Sequence, residues 1–147
     1  APSRGLGDVY KRQVINRFIK KTYGKMGETV MNIKECYDSI GADFEDVLGR
    51  LGSEKLIERF ALKFLEDDSY SNLKEALAEK NAENAFRAAH TLKGVCLNLG
   101  FTELYKVSAE LTEVLRGRET AGSDELYAQV KEQYTTLTDA IRELAGN

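Results

Sequence analysis

The chain has 147 residues, with 21 Lys+Arg against 24 Asp+Glu, one His, one Pro, two Cys and no Trp, and is 42% hydrophobic and 31% charged. That length suits one domain with a real hydrophobic core, and the scarcity of proline biases it toward helix. A membrane-spanning stretch of roughly 20 apolar residues is absent, Cys36 and Cys96 make neither a metal-ligand spacing nor a disulfide framework, and with one histidine a His-rich metal site is excluded and any Ser-His-Asp enzyme would have to use His90.

Residues 1–30 carry seven basic groups (Arg4, Lys11, Arg12, Arg17, Lys20, Lys21 and Lys25) against Asp8 and Glu28, whereas the remaining residues have 14 basic and 22 acidic groups. An acidic body argues against nucleic acid as a partner, because that binding needs a concentrated positive face. The basic head has the charge of a nucleic-acid or membrane-surface arm, but the plainer reading is a leader that is disordered or not native to the domain. Val14, Ile15, Phe18 and Ile19 make only a short amphipathic stretch, not the apolar region of a secretory signal. The run Asp8-Val-Tyr-Lys-Arg-Gln13 also resembles translated sequencing-adapter sequence, which puts the expected natural start at Met31 and the domain at residues 31–147.

From Met31 the pattern predicts helix after helix. Residues 32–39 and 42–51 read as two short helices, closed near Gly41 and by Gly52. Ser53 is a good N-cap for a long segment in which Leu56, Ile57, Phe60, Ala61, Phe64 and Leu65 follow helical spacing. The polar cluster 66–69 is expected to kink it before Leu73, Ala76 and Leu77 resume the stripe. Asn81 caps a helix running to Leu99 and stopped by Gly100. Residues 102–116 follow, with Leu104, Val107, Leu111, Val114 and Leu115 on one side. A last helix starts at 123–125 and turns Leu126, Val130, Leu137, Ile141 and Leu144 inward. Four long amphipathic segments joined by short loops predict an all-α fold, an antiparallel up-and-down four-helix bundle, with the short N-terminal helices covering one end. No Gly-rich phosphate loop, HExxH or EF-hand pattern occurs, so no cofactor and no metal site are expected, and any phosphate handled does not come from ATP unaided.

The segment 81–99 carries the chemistry. At about 100° per residue, Ala85, Ala88, Ala89, Leu92, Val95, Cys96 and Leu99 gather opposite His90. His90 therefore points outward, with Phe86, Lys93, Gly94 and Leu97 beside it and Arg87 and Glu83 on the flank. Phe86 and Leu97 are large apolar groups where polar ones would do, and Gly94 costs on the order of 1 kcal/mol against alanine in mid-helix. The set has the makings of a nucleophile (His90), a charge stabiliser (Lys93), a cleared approach (Gly94) and an apolar docking rim. The bland alternatives are a surface histidine without a role, a glycine serving close helix packing, and Phe86 and Leu97 folded back onto a neighbouring helix.

The run Ala88-Ala-His-Thr-Leu-Lys-Gly94, followed by Asn98-Leu-Gly100, resembles the signature of histidine-containing phosphotransfer (HPt) domains, His-x-Leu-Lys-Gly with a Leu-Gly pair some seven residues on. It matches at His90, Leu92, Lys93, Gly94, Leu99 and Gly100 without departure. The likeness covers residues 53–118 closely and 31–147 in outline; residues 1–30 have no counterpart. The resemblance implies a phosphorelay intermediate in which His90 accepts a phosphoryl group and exchanges it with the aspartate of a response-regulator receiver domain. Lys93 would stabilise the charge, Gly94 would keep the approach clear, and Phe86, Arg87 and Leu97 would dock the partner. The implied partners are receiver domains and an upstream, hybrid histidine kinase. The metal and carboxylates of the reaction would belong to the receiver. Such a protein is a phosphocarrier rather than an enzyme, and is expected to be monomeric and cytoplasmic, with no nucleic-acid or membrane partner. Two alternatives stay open: the phosphoacceptor domain of a chemotaxis-type histidine kinase, and a non-catalytic helical adaptor.

Overall fold

The computed structural model describes residues 14–15 and 31–146; the basic leader expected over 1–30 lies outside the described residues except for Val14 and Ile15, which are helical and exposed. The described chain is all helical: α1 (Ile33–Ser39), α2 (Phe44–Leu51), α3 (Glu54–Lys63), α4 (Ser69–Ala78), α5 (Ala82–Leu99), α6 (Thr102–Leu115) and α7 (Asp124–Leu144), with a 3-10 turn at Phe64–Glu66. Local chemistry sets the boundaries. Asn32, Asp43, Ser53 and Asn81 each accept a bond from the first turn of the helix they precede. At α1 the reciprocal bond from Asn32 N–H to Glu35 completes a capping box, 3.1 Å long.

Two boundaries differ from the sequence reading. The helix expected from Ala42 begins at Phe44, because Asp43 takes the capping role. The long segment from Ser53 is interrupted rather than kinked. It tightens to 3-10 geometry at Phe64, Asp67 turns extended (φ −70°, ψ 132°), and the Asp67 carboxylate accepts from Ser69 N–H at 3.0 Å as α4 starts. Short acidic side chains that bond nearby backbone compete with the helix here.

The α3–α4 segment, α5, α6 and α7 form the antiparallel up-and-down bundle, with consecutive helices packed side by side and joined by short turns. The core comprises Ala85, Ala88, Ala89, Leu92, Cys96 and Leu99 from α5, Leu104, Leu111 and Leu115 from α6, and Val130, Leu137, Ile141 and Leu144 from α7, closed by Ile57, Ala61, Phe64 and Leu73. Val114, expected in the α6 stripe, is 37% exposed; Ser108 and Thr112 take the buried positions instead. Thr112 satisfies its hydroxyl on the Ser108 carbonyl at 2.7 Å, which lets a polar residue sit in the core. Burial pushes the Cys36 thiol up to about 12, with the Glu143 charge adding to it, and raises Cys96 as well, so neither is a reactive thiol.

The short helices α1 and α2 cover one end and finish the C-terminus of α5. The Tyr37 hydroxyl donates to the Leu99 carbonyl at 2.6 Å, Arg50 donates to the Leu97 carbonyl at 3.2 Å, and the Asp43 N–H donates to the Gly100 carbonyl at 2.9 Å. Carbonyls that a helix end leaves orphaned are thus bonded by residues more than forty positions upstream. Tyr37, Phe44, Phe101 and Phe64 pack ring to ring in the same corner, at centroid distances of 5.2 to 5.7 Å.

Candidate functional site

Helix α5 is an 18-residue rod whose buried stripe presents its opposite face to solvent, and His90 stands on that face, exposed. The sequence wheel has the right phase: Ala85, Ala88, Ala89, Leu92, Cys96 and Leu99 are buried, and Val95 is half-buried. Among the described residues no hydrogen bond or ion pair engages the imidazole. Its neighbour is the Phe86 ring one turn back, nearly parallel to it (6° between planes) with centroids 5.9 Å apart.

The structure brings Phe86, His90, Lys93, Gly94 and Leu97 to one side of the helix, with differing exposure. Leu97 is 57% exposed, whereas Phe86, Lys93 and Gly94 are half-buried. Arg87 is exposed and tied to Glu83 by a 2.6 Å ion pair. Phe86 is packed against the core and also covered from outside, for the Arg116 guanidinium carbon lies 5.1 Å from its ring centroid. A Cβ added at Gly94 would meet nothing within 4 Å. No neighbouring helix therefore needs that glycine for close approach; what its missing side chain leaves free is the outer face.

Arg116 and Glu113, at the end of α6, were not visible to a wheel drawn on α5 alone. Arg116 holds Glu113 through two bonds, Nε to Oε2 at 2.8 Å and Nη2 to Oε1 at 3.2 Å. The bonded Arg116 guanidinium holds the Glu113 carboxyl below its ordinary range, and the charges of Lys93 and His90 act in the same direction. A cluster of opposite charges thus spans α5 and α6 beside the imidazole. The i, i+3 spacing of Glu113 and Arg116 was the one sequence signal for the pair.

On the other flank a groove of about 540 Å³ runs between α4 and α5, lined by Asp68, Ser69, Asn72, Glu75 and Glu79 and, on the α5 side, by Asn84, Arg87 and Thr91. Among the described residues no group of three His, Cys, Asp or Glu side chains could hold a metal ion, and no helix is long and apolar enough to cross a membrane.

An outward-facing imidazole, one turn from a lysine and a glycine and without a bond among the described residues, can act as a nucleophile toward an incoming electrophile. Neither a curated protein nor a solved structure matches the chain. The family pattern described as Hpt domain, however, matches residues 64–144, more than half of the chain and the whole span from the 3-10 turn to the end of α7. The chain belongs to the Hpt domain family.

Proposed function

We propose that this protein is a phosphorelay intermediate that carries a phosphoryl group on His90 and exchanges it with the aspartate of a response-regulator receiver domain. The observation that supports this most is the state of His90 itself: exposed, without a bond among the described residues, and set opposite the buried stripe of a helix whose outer glycine has open space around it. In the forward step an unprotonated ring nitrogen forms the N–P bond as the acyl P–O bond of the aspartyl phosphate breaks. The electron pair leaves with the aspartate carboxylate. Imidazole suits this work because it offers such a nitrogen near neutral pH and remains a good leaving group for the return step.

The transfer asks for in-line placement and charge stabilisation rather than for new covalent machinery. Lys93 supplies a cation one turn from the imidazole, and Gly94 leaves the approach open. Leu97, two turns beyond His90, offers exposed apolar surface to the receiver, and Phe86 and the charged Arg87 stand one turn before the imidazole. The protein then acts as a phosphocarrier without a nucleotide site of its own. The same reading makes it a cytoplasmic monomer that meets receivers and an upstream histidine kinase.

The test is incubation with a phosphorylated receiver and, separately, with a kinase core plus ATP, followed by assay for phosphate that survives alkali and is lost in acid. Label is expected from the receiver. Label from the kinase core alone would favour a chemotaxis-type phosphoacceptor, and none from either source would leave a helical adaptor. His90→Gln is expected to abolish labelling while keeping the helical circular dichroism of the parent, because the side chain contributes nothing to the core. Labelling retained in that variant refutes the assignment of His90.

A further inference from the structure

Three side chains from two helices form a continuous stack beside the acceptor. His90 lies parallel to Phe86, and the Arg116 guanidinium is set over the same ring, 5.1 Å from its centroid. Glu113 grips that guanidinium through both of its carboxylate oxygens. Arg116 caps α6 and has its own backbone N–H bonded within the helix, so the aromatic ring and the carboxylate are what fix its side chain. The whole assembly is exposed on the Arg116 side, where an ion pair can exchange partners without a large desolvation cost.

We propose that Arg116 is a second cation for the phosphoryl group, held in reserve over Phe86 by Glu113 and handed to the phosphoryl oxygens when His90 carries them. This rests on His90 being the acceptor. The planar guanidinium fork matches a phosphoryl group as well as it matches a carboxylate, and bonds two oxygens at once. A phosphoryl group brings close to two negative charges where the unmodified imidazole has none, so it outbids a single carboxylate for the arginine. It also repels Glu113, whose charge is felt across the same gap: His90 and Lys93 both act on that carboxylate. Lys93, a compact ammonium, leaves phosphoryl oxygens free for a second donor.

The experiment uses the full chain and potassium phosphoramidate, with phosphohistidine followed by phosphorus NMR. In this reaction the ring nitrogen of His90 forms the N–P bond, the P–N bond of the donor breaks, and its electron pair leaves on ammonia. Arg116→Gln is expected to slow phosphorylation about three- to tenfold, the range of one exposed charge contact. Arg116→Lys is expected to recover part of the loss. Glu113→Gln is expected to speed the reaction, because it frees the arginine and removes a competing anion. In the phosphorylated parent the Arg116 Nε–H resonance is expected to shift as its acceptor changes. A bridge that only supports the fold would make Arg116→Gln and Glu113→Gln act in the same direction and leave that resonance in place; either result overturns the handover. A parent that takes phosphate on His90 with unresponsive variants overturns the role of Arg116 alone. A parent that takes none overturns the reading of His90 with it.

Discussion

Helix α5 has one glycine within it and one capping its end, and their surroundings are opposite. At Gly100 the backbone is left-handed (φ +71°), the residue is buried, and an added Cβ would collide with Val47 Cγ2 and stand 2.9 Å from the Asp43 carbonyl oxygen. At Gly94 the backbone is ordinary helix and an added Cβ meets nothing. The first glycine is demanded by the fold: it ends the helix and admits the α1–α2 corner that bonds the final carbonyls. The second is tolerated against helix propensity, which costs on the order of 1 kcal/mol, and the fold receives nothing for it. One helix thus has a closed end, where the Cys96, Leu97 and Leu99 carbonyls are bonded, and an open face, which carries an exposed histidine and a glycine with free space around it.

Substitutions can break that contrast. The largest effect is expected at the closed end. Gly100→Ala combines left-handed strain with overlap against Val47 and the Asp43 backbone, and should cost about 2–4 kcal/mol in chemical denaturation. A loss below about 1 kcal/mol would mean that α2 can back away and that the corner is loose. On the open face, Lys93→Ala should slow transfer through His90 by about 1.5–3 kcal/mol if the contact forms in the transition state, while the melting temperature stays close to that of the parent. A variant that transfers as fast as the parent removes Lys93 from the chemistry.

Smaller effects sharpen the comparison. Tyr37→Phe deletes a buried 2.6 Å bond to the Leu99 carbonyl and should cost about 1–2 kcal/mol in stability. Transfer should be unaltered, since the bond belongs to the far end of the helix. Gly94→Ala should do the reverse of Gly100→Ala and stabilise the domain by about 0.5–1 kcal/mol. Gly94→Leu should also keep the fold while blocking transfer by bulk. If Gly94→Ala instead destabilises the protein, the open space at that position is occupied in solution and the two glycines are alike.

Much of this was readable from one dimension. Helical periodicity, the Ser53 and Asn81 caps and the closing glycines at 41, 52 and 100 carry the element order, because capping and amphipathic spacing are local properties of a few adjacent residues. The phase of α5 was legible for the same reason: a helix that buries Ala85, Leu92, Cys96 and Leu99 must expose His90. Val114 was misplaced because Val107 and Val114 share a stripe by hydrophobicity, whereas packing against α5 and α7 selected the small Ser108 and Thr112, the latter with its hydroxyl bonded to the Ser108 carbonyl.

What the sequence by itself determined, then, is the all-helical bundle, its boundaries to within a few residues, and the placing of His90, Lys93 and Gly94 on one helix face. Each depends on periodicity or on neighbours one turn away, which the order of residues encodes directly. Only the tertiary structure decided which of two glycines is structural, since that turns on Val47 and Asp43 from a different helix. It alone decided that Phe86 is half-buried between Arg116 and His90 rather than free on the surface. It also joined Glu113 and Arg116 to the site, across a helix–helix contact whose register is set by the side chains of both surfaces together and so cannot be read from either helix alone.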